Sequence, residues 1–421
     1  MEEPISQEQP VTPELLIPDR GSPFAALRHR NYQLYFGGQL ISNAGTWMQI
    51  IAQGWLVYQI THSDLTLGIV GFASAIPTLL ISSWGGLIVD WVPKRTLLIL
   101  TQTGAMLLAF ILAALAFTHE VKEWHIILLA AGLGVVNSFD APGRQAFVVD
   151  MVGREDLPNA IALNSMMFNS ARIIGPAMGG LLLAVIGPAW CFTINGISFF
   201  AVILGLWAMR IELNETKWLS GSPWKQLTTG LNYVIGQPEL HGLLLLALFF
   251  SVFGISYSTI LPAFVEQILK QDAAGYGWIT AATGVGAVSG AFLIANQHGP
   301  GWRGKWLMVA GFGFPVALTI FSFTTIFPIS LILAVGLGVG FMVEFTIINT
   351  LLQTRVEDQL RGRVMGLYTI TFFGFAPFGN LAIGILSDRI GLSYAMTIFA
   401  VIALLSSWII IQKIPQIKRL P

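Results

Sequence analysis

The chain has 421 residues, of which 54 % are hydrophobic and 10 % are charged, with 22 basic and 22 acidic side chains. Soluble domains carry about 25 % charged residues, so this composition excludes an ordinary soluble enzyme, and its apolar content excludes a disordered chain. The balanced charge does not favour nucleic-acid binding. A membrane protein with helices immersed in lipid is therefore predicted.

The N-terminal segment is polar and is followed by twelve apolar segments. Residues 1–23 contain five prolines and no apolar run, so we expect a disordered cytoplasmic tail rather than a signal peptide. Each later segment has about 20 apolar residues, which is enough to cross a bilayer. The predicted spans are 32–59, 66–88, 96–118, 124–148, 159–186, 189–209, 240–265, 276–296, 306–326, 328–352, 364–387 and 393–412.

These spans predict an all-α membrane protein with twelve transmembrane helices in two pseudo-symmetric six-helix halves. The N-terminal half is expected at 24–209 and the C-terminal half at 240–412. A cytoplasmic linker at 210–239 contains an amphipathic stretch that suits the membrane surface, and 413–421 form a cytoplasmic tail.

Lysine and arginine are distributed unevenly between the two sets of loops. With a cytoplasmic N-terminus, the cytoplasmic segments hold 18 basic residues, whereas the opposite segments hold only Lys122, Lys270 and Arg389. Cytoplasmic loops of membrane proteins carry such an excess. The bias therefore predicts that both termini lie in the cytoplasm.

An internal repeat relates the two predicted halves. The run GLGV at 132–135 recurs at 336–339, an offset of 204 residues. Because one offset relates a whole series of glycines, chance is the weaker explanation, and two parallel six-helix halves with a site between them are expected. The related pairs are Gly175 and Gly379, Gly180 and Gly384, and, at an offset of 209, Gly45 and Gly254, Gly68 and Gly277.

Two motifs indicate close or charged contacts between helices. Asp90, Lys94 and Arg95 follow helix 2, where they can form a charged latch or simply a basic cytoplasmic loop. They resemble the loop motif of the major facilitator superfamily, with Trp91 and Pro93 replacing its usual Arg and Gly. Helix 5 contains a small-residue face and a proline that favours a bend, and it resembles the Gly-Pro-x-x-Gly-Gly antiporter motif, although tight packing alone is the alternative. Its residues are Gly175, Pro176, Gly179 and Gly180.

A broader resemblance covers residues 24–412. The chain is similar to the transmembrane secretion effector branch of the major facilitator superfamily, which includes enterobactin-exporter-like and macrolide-efflux-like proteins. The segments that carry the resemblance are RHRNY at 28–32, FGGQLIS at 36–42, TWMQ at 46–49, QGWLVY at 53–58, DAPGRQ at 140–145, LPNA at 157–160, NTLLQ at 349–353 and RGRV at 361–364.

The resemblance implies a major facilitator fold in the bacterial inner membrane. It implies export of a small amphipathic molecule, siderophore-like or drug-like, by alternating access driven by protons. Leu128 and Ala130 stand where many proton-coupled relatives have an arginine, which counts against antiport by that route. An importer, a lipid flippase and a non-transporting scaffold are the alternatives.

No catalytic or metal-binding cluster is visible. The only cysteine is Cys191, and the six histidines are scattered, so we expect no enzyme, no metal and no cofactor. The expected partners are a small-molecule substrate, protons and the lipid bilayer, and the expected state is a monomer.

The candidate substrate cavity is lined by polar and aromatic stripes. The helix 1 stripe occupies about 120° of arc, so it faces either a water-accessible cavity or hydrogen-bonding neighbouring helices. The aromatic pair of helix 7 either contacts the solute or packs in the core, and Arg172 binds either an anionic group or carbonyl oxygens. The candidates are Gln39, Asn43, Thr46, Gln49, Gln53, Asn137, Asn169, Arg172, Phe253 and Tyr257.

Two acids in apolar helices are related by the offset of 204, Asp140 and Glu344. Each needs a cation or a proton. Arg144 can pair with Asp140 at i+4, whereas Glu344 has Ile348 there and needs Arg303, Arg363 or a proton. We expect Asp140 to be a permanently charged latch and Glu344 a protonation site; two matching gate ion pairs are the alternative. The expected cytoplasmic gate comprises Asp90, Lys94, Arg95, Arg144, Arg303, Arg361 and Arg363.

Overall fold

A computed structural model describes residues 24–153, 155–210, 223–297 and 301–419. Within these ranges, the side chains at 82–91, 169, 172–174, 177, 223–227, 358–359 and 419 are not described. The predicted tail at 1–23 and the linker residues 211–222 lie outside the described part of the chain, and so do the side chains of Asp90, Asn169 and Arg172.

Within the described ranges the chain forms fourteen α-helices and no β-strand. The helices are α1 (Arg30–Thr61), α2 (Asp64–Trp91), α3 (Lys94–Phe117), α4 (Glu123–Val152), α5 (Leu157–Ala208), α6 (Pro223–Ile235), α7 (Pro238–Phe249), α8 (Leu261–Gln267), α9 (Ala273–Ala295), α10 (Trp302–Phe323), α11 (Phe327–Arg355), α12 (Asp358–Thr369), α13 (Ala376–Ile390) and α14 (Leu392–Lys413).

Helix α5 contains both of the spans predicted at 159–186 and 189–209. Gly187 interrupts it with φ 78° and ψ 173°, a left-handed conformation that residues with a Cβ adopt at a cost. The chain therefore turns at Gly187, between the two predicted spans. Helix α6 lies in the predicted linker.

Two predicted helices are interrupted, so the expectation of continuous helices at 240–265 and 364–387 is wrong. A π-helical turn at Phe250–Gly254 and a 3₁₀ turn at Ser256–Thr259 separate α7 from α8. A second π-helical turn at Ile370–Gly374 separates α12 from α13. Proline stands in the first turn of both α8 and α13, where its missing N–H costs no helical hydrogen bond, so a new helix begins there.

Ten helical stretches of the described residues are long and apolar enough to cross a membrane. The side chains that point away from the bundle include many large apolar ones, for example Leu100, Leu107 and Ile111 of α3. Such an exposed surface is stable in lipid and not in water. The chain is therefore an all-helical, multi-pass membrane protein.

The repeated glycines make equivalent contacts in the two halves of the chain. Gly134 of α4 packs on the carbonyl oxygen of Ser74 in α2, and Gly338 of α11 packs on that of Thr283 in α9. Ser74 and Thr283 are themselves 209 residues apart. A Cβ at either glycine would overlap the carbonyl oxygen, so only glycine allows these helices to approach so closely.

The two halves of the chain meet at one end of the bundle, where α1 ends and α2 begins. There α2 packs against α13, and α5 packs against α9. We call this surface the closed face and define it by four glycines whose backbones touch in pairs, Gly68 with Gly384 and Gly180 with Gly277. The sequence offsets of 204 and 209 exchange these two pairs, so the closed face has approximate two-fold symmetry.

Candidate functional site

A buried carboxylate lies at the centre of a polar network in the first half of the chain. Asp140 is 2 % exposed. Its Oδ1 accepts hydrogen bonds of 2.8 Å from the Thr101 hydroxyl and the Gln102 amide of α3. Its Oδ2 lies 2.7 Å from Nη2 of Arg144. Both carboxylate oxygens thus have partners, as a buried charge requires.

Arg144 connects this carboxylate to the polar stripe of α1. Its Nη1 donates a hydrogen bond of 2.9 Å to Oε1 of Gln39. The network therefore joins α1, α3 and α4 of one half. Thr101 and Gln102 were missed by the sequence reasoning, although two adjacent polar residues in an apolar helix are a signal that could have revealed them.

We expect Arg144→Gln to destabilise the protein strongly, because it leaves the buried Asp140 carboxylate without a cation. Breaking a buried ion pair on one side costs about 3–5 kcal/mol. Thermal unfolding in detergent should show a large fall in midpoint for Arg144→Gln and a much smaller one for Arg144→Gln combined with Asp140→Asn.

The control for Arg144→Gln is Lys94→Gln. Lys94 forms a partly exposed ion pair of 2.8 Å with Asp150, and such pairs contribute about 0–1 kcal/mol. If Arg144→Gln and Lys94→Gln lowered the unfolding midpoint equally, the Asp140 network would not stabilise the fold.

Glu344 occupies the equivalent position in the second half without an equivalent network. It is 1 % exposed, and its Oε2 has no hydrogen-bond partner among the described residues. No described lysine, arginine or histidine lies within ion-pair distance of it. The repeat offsets replace the polar residues of the Asp140 network by residues without a polar side chain: Leu248 for Gln39, Ala310 for Thr101, Gly311 for Gln102 and Ile348 for Arg144.

The two cations expected near Glu344 lie elsewhere. The Arg303 guanidinium stacks over the Trp302 ring, 4.9 Å from its centroid. Arg363 packs against Gly230 of α6. Among the described residues, neither arginine is seen in an ion pair with Glu344, so the choice between a cation from another helix and a proton stays a prediction.

The polar stripe of α1 makes hydrogen bonds to neighbouring helices as well as within α1. Gln49 is buried and accepts a hydrogen bond of 2.6 Å from Asn195 of α5. Thr46 donates to the carbonyl of Ser42 at 2.9 Å. For Gln39 and Gln49 the structure thus shows interhelical bonding, the second of the two alternatives. Asn43 is buried, Gln53 is half-buried, and Asn137 of α4 is exposed.

The aromatic candidates of the second half pack against other rings. Phe253 contacts Phe399 of α14 with 5.1 Å between ring centroids. Tyr257 is buried between Phe314 and Phe321 of α10, at 6.2 and 6.4 Å. Core packing is therefore what the structure shows for both residues.

The glycines of the helix 5 motif face two different partners. Gly175 and Gly179 lie against Trp47 and Met48 of α1, which belongs to the same half. Gly180 lies against α9 of the other half. The helix continues through Pro176 without a break in its backbone angles. The motif therefore packs one half internally and also joins it to the other.

Three of the expected gate residues make contacts within their own half of the chain. Lys94 pairs with Asp150, Arg95 donates to the carbonyl of Trp207 at 2.7 Å, and Arg361 donates to the carbonyl of Gln353 at 2.8 Å. Each of these contacts stays within one half. Among the described residues, no ion pair joins the two halves.

Two side-chain hydrogen bonds between described residues join the halves at the closed face. Ser387 of α13 donates to Asp64 of α2, and Gln267 of α8 donates to the hydroxyl of Tyr58 in α1. The sequence reasoning did not identify these residues. The described bundle is therefore joined at one end by two glycine crossings and these hydrogen bonds.

The described bundle joins its two halves at one end and buries two acids, Asp140 and Glu344, in otherwise apolar helices. The fold is similar to the crystal structure of a single-residue mutant of the nucleoside transporter NupG, with a TM-score of 0.70 and 11 % identity, over 92 % of this chain and 99 % of that one. The family model for transmembrane secretion effectors matches residues 21–420. The chain belongs to this family of transporters and is not an enzyme.

Curated relatives match over most of their own length. The chain is similar to the staphyloferrin A transporter of Staphylococcus aureus, with 24 % identity over 87 % of this chain and 92 % of the relative. It is similar to the multidrug efflux pump Tap of Mycolicibacterium fortuitum, with 25 % identity over 84 % and 88 %. It is also similar to the enterobactin exporter EntS of Shigella flexneri, with 25 % identity over 81 % of each chain.

Proposed function

We propose that the protein exports a small amphipathic molecule, siderophore-like or drug-like, across the bacterial inner membrane by alternating access. The single observation that carries the mechanism is the closed face, where the halves touch through Gly68–Gly384 and Gly180–Gly277. A carrier works by opening one such contact and forming another at the opposite end. The names of the relatives support export and the class of solute.

The proposed topology has twelve crossings in two pseudo-symmetric halves. The two parts of α5 count as two crossings, α7 with α8 as one, and α12 with α13 as one. Two further crossings are proposed at α1 and at the part of α5 before Gly187, in addition to the ten apolar stretches of the described residues. With both termini cytoplasmic, the closed face is periplasmic and the described conformation opens towards the cytoplasm.

The proposed solute site lies between the halves. Asn43, Gln53 and Asn137 make no hydrogen bond that ties them to another helix in the described network, so they are the polar residues best placed to contact a solute. Arg172 remains the candidate for an anionic group, although its side chain lies outside the described residues. The interhelical bonds of Gln39 and Gln49 assign those two residues to holding α1 within its half.

Proton coupling is proposed to use Glu344 rather than Asp140. Asp140 already has a cation and two hydrogen-bond donors, so it has little to gain from a proton. Glu344 has no ion pair among the described residues, and its Oε2 is buried without a described partner, so a proton is the simplest way to neutralise it. Glu344 is thus the acid whose charge changes during the cycle, and the protein is proposed to act as a monomer.

The test is transport by purified protein in liposomes of known orientation. We expect a fluorescent cationic dye, or in a parallel assay an iron-free siderophore, to move from the cytoplasmic to the opposite side when a proton gradient is imposed. Collapse of the gradient should stop net movement. Movement in the opposite direction would indicate an importer, movement of labelled lipid alone would indicate a flippase, and neither result is compatible with the proposal.

A further inference from the structure

The first residue of α2 is an acid buried at the contact between the two halves. Asp64 is 7 % exposed, although it begins a helix at the end of the bundle. Ser387 of α13 donates a hydrogen bond of 2.5 Å to its Oδ2. Its Oδ1 is buried and has no partner among the described residues. A carboxylate in this position is held across the interface with one oxygen left unsatisfied.

Among the described residues, no lysine, arginine or histidine forms an ion pair with this carboxyl group. The titratable and charged groups on the elements around it are Tyr58 and His62 of α1, Glu123 of α4, Glu266 of α8, and Asp388 and Arg389 of α13. Neither His62 nor Arg389 forms an ion pair with Asp64 among the described residues, and both are exposed. The remaining neighbours are acids or a phenol.

The neighbouring acid Asp388 adds to the cost of a charge on the buried Asp64. Asp388 directly follows the hydrogen-bonding Ser387, so a second carboxylate faces Asp64 from the other half. Glu266 lies beyond Tyr58, and its Oε2 is also buried without a described partner. Like charges across a contact repel each other, and a proton on Asp64 removes this repulsion.

The symmetry of the closed face shows that the crossing itself does not require an acid. The repeat offsets place Ala273 at the position of Asp64 and Leu183 at the position of Ser387 in the equivalent crossing of α5 and α9. Both of these residues are buried and apolar. The α5–α9 crossing therefore has apolar residues at these two positions, whereas the α2–α13 crossing has an acid whose charge can change.

We propose that Asp64 is a proton-binding site that controls the closed face. With a proton on the carboxyl group, α2 stays against α13, and loss of the proton places two carboxylates at the contact and separates the helices. This inference rests on the proposed alternating access but not on the identity of the solute. Its role differs from that of Glu344, since Asp64 lies at the contact that has to open.

The experiment measures the distance between the halves at the closed-face end as the pH changes. Spin labels are attached at Glu120→Cys and Thr325→Cys, in a Cys191→Ala background in lipid nanodiscs; both positions are exposed and lie in the α3–α4 and α10–α11 connections. We expect short distances at acidic pH and a growing population of long distances as the pH rises. Coupling to one proton allows up to about a tenfold change in the ratio per pH unit.

Two variants test whether Asp64 is the acid that causes the pH dependence of the distance. Asp64→Asn should keep the short distances over the whole pH range, because the amide mimics the neutral carboxyl group. Glu123→Gln is the matched control, an acid on the same end that accepts a hydrogen bond of 3.0 Å from Thr66, and it should titrate like the parent protein. A parent protein without pH dependence, or an Asp64→Asn variant that titrates like the parent, would overturn the proposal.

A second variant protects the test against a failure of Asp64→Asn to fold. Asp388 is exposed, so Asp388→Asn should fold, and it should keep the short distances up to a higher pH because one of the two repelling charges is gone. If the pH midpoint of the distance change is the same in Asp388→Asn as in the parent protein, the proposal is also contradicted. The measurement needs no solute, so a failure of dye or siderophore export with an intact titration would reject the proposed function and leave this site standing.

Discussion

Replacing Gly180 by valine is expected to prevent the closed face from forming. A Cβ on Gly180 would overlap the backbone of Gly277, and neither backbone can yield without moving its helix. The extra carbons of valine force α5 and α9 apart, so the halves should stay separated at this end. In the spin-label measurement, Gly180→Val should show mainly long distances at every pH, and liposome transport should fall to background.

The control for this variant is Gly336→Val. Gly336 lies in α11, and a Cβ there would have nothing within 4 Å among the described residues. Valine changes helix propensity equally at both positions, so the control separates a lost contact from a weaker helix. Gly175→Val is a second comparison, since it should damage the packing of α5 on α1 within one half and lower the unfolding temperature. Normal transport by Gly180→Val would show that the crossing at Gly180 does not need to close.

The repeated glycines are the part of this face that could be predicted from the sequence. The offsets of 204 and 209 pair Gly68 with Gly277 and Gly180 with Gly384 before any contact is known. Since a duplicated unit keeps its packing, glycines that recur at one offset mark equivalent close approaches. The offsets do not reveal which helices touch. In the structure Gly68 contacts Gly384, and Gly180 contacts Gly277.

The sequence predicts the positions of the apolar spans, but it does not predict the turns that interrupt the helices. Apolar length determines the spans because lipid excludes unsatisfied backbone groups. The π-helical turns at Phe250–Gly254 and Ile370–Gly374 leave no mark in the hydrophobic pattern, which is apolar on both sides of each turn. The predicted spans at 240–265 and 364–387 therefore coincide with helical stretches that these turns divide.

Partners distant in the sequence explain the remaining differences at the candidate site. The pairing of Arg144 with Asp140 was predictable because both lie on one helix face, four residues apart. Gln49 bonds to Asn195, which is 146 residues away, and Asp64 to Ser387, which is 323 residues away. An acid in the first turn of a helix is common and favourable, so only the fold shows that Asp64 is buried.

Replacing Glu344 by glutamine is expected to abolish proton-driven export while leaving solute binding nearly intact. Glutamine has the size of the protonated side chain, and Glu344 has no described cation whose charge would be left unpaired by the change. The unfolding temperature should therefore stay the same or rise. In liposomes, Glu344→Gln should show no net movement of dye under a proton gradient, whereas equilibrium binding of the dye should change by no more than a few-fold.

Asp140→Asn is the comparison that separates the two acids. It removes the partner of Arg144, so it should lower the unfolding temperature, and the protein that remains folded should still respond to the proton gradient. Glu357→Gln serves as the neutral control, because Glu357 is exposed at the start of α12 and should tolerate the change. Export against a gradient by Glu344→Gln, together with its loss in folded Asp140→Asn, would reverse the roles assigned to these two carboxyl groups.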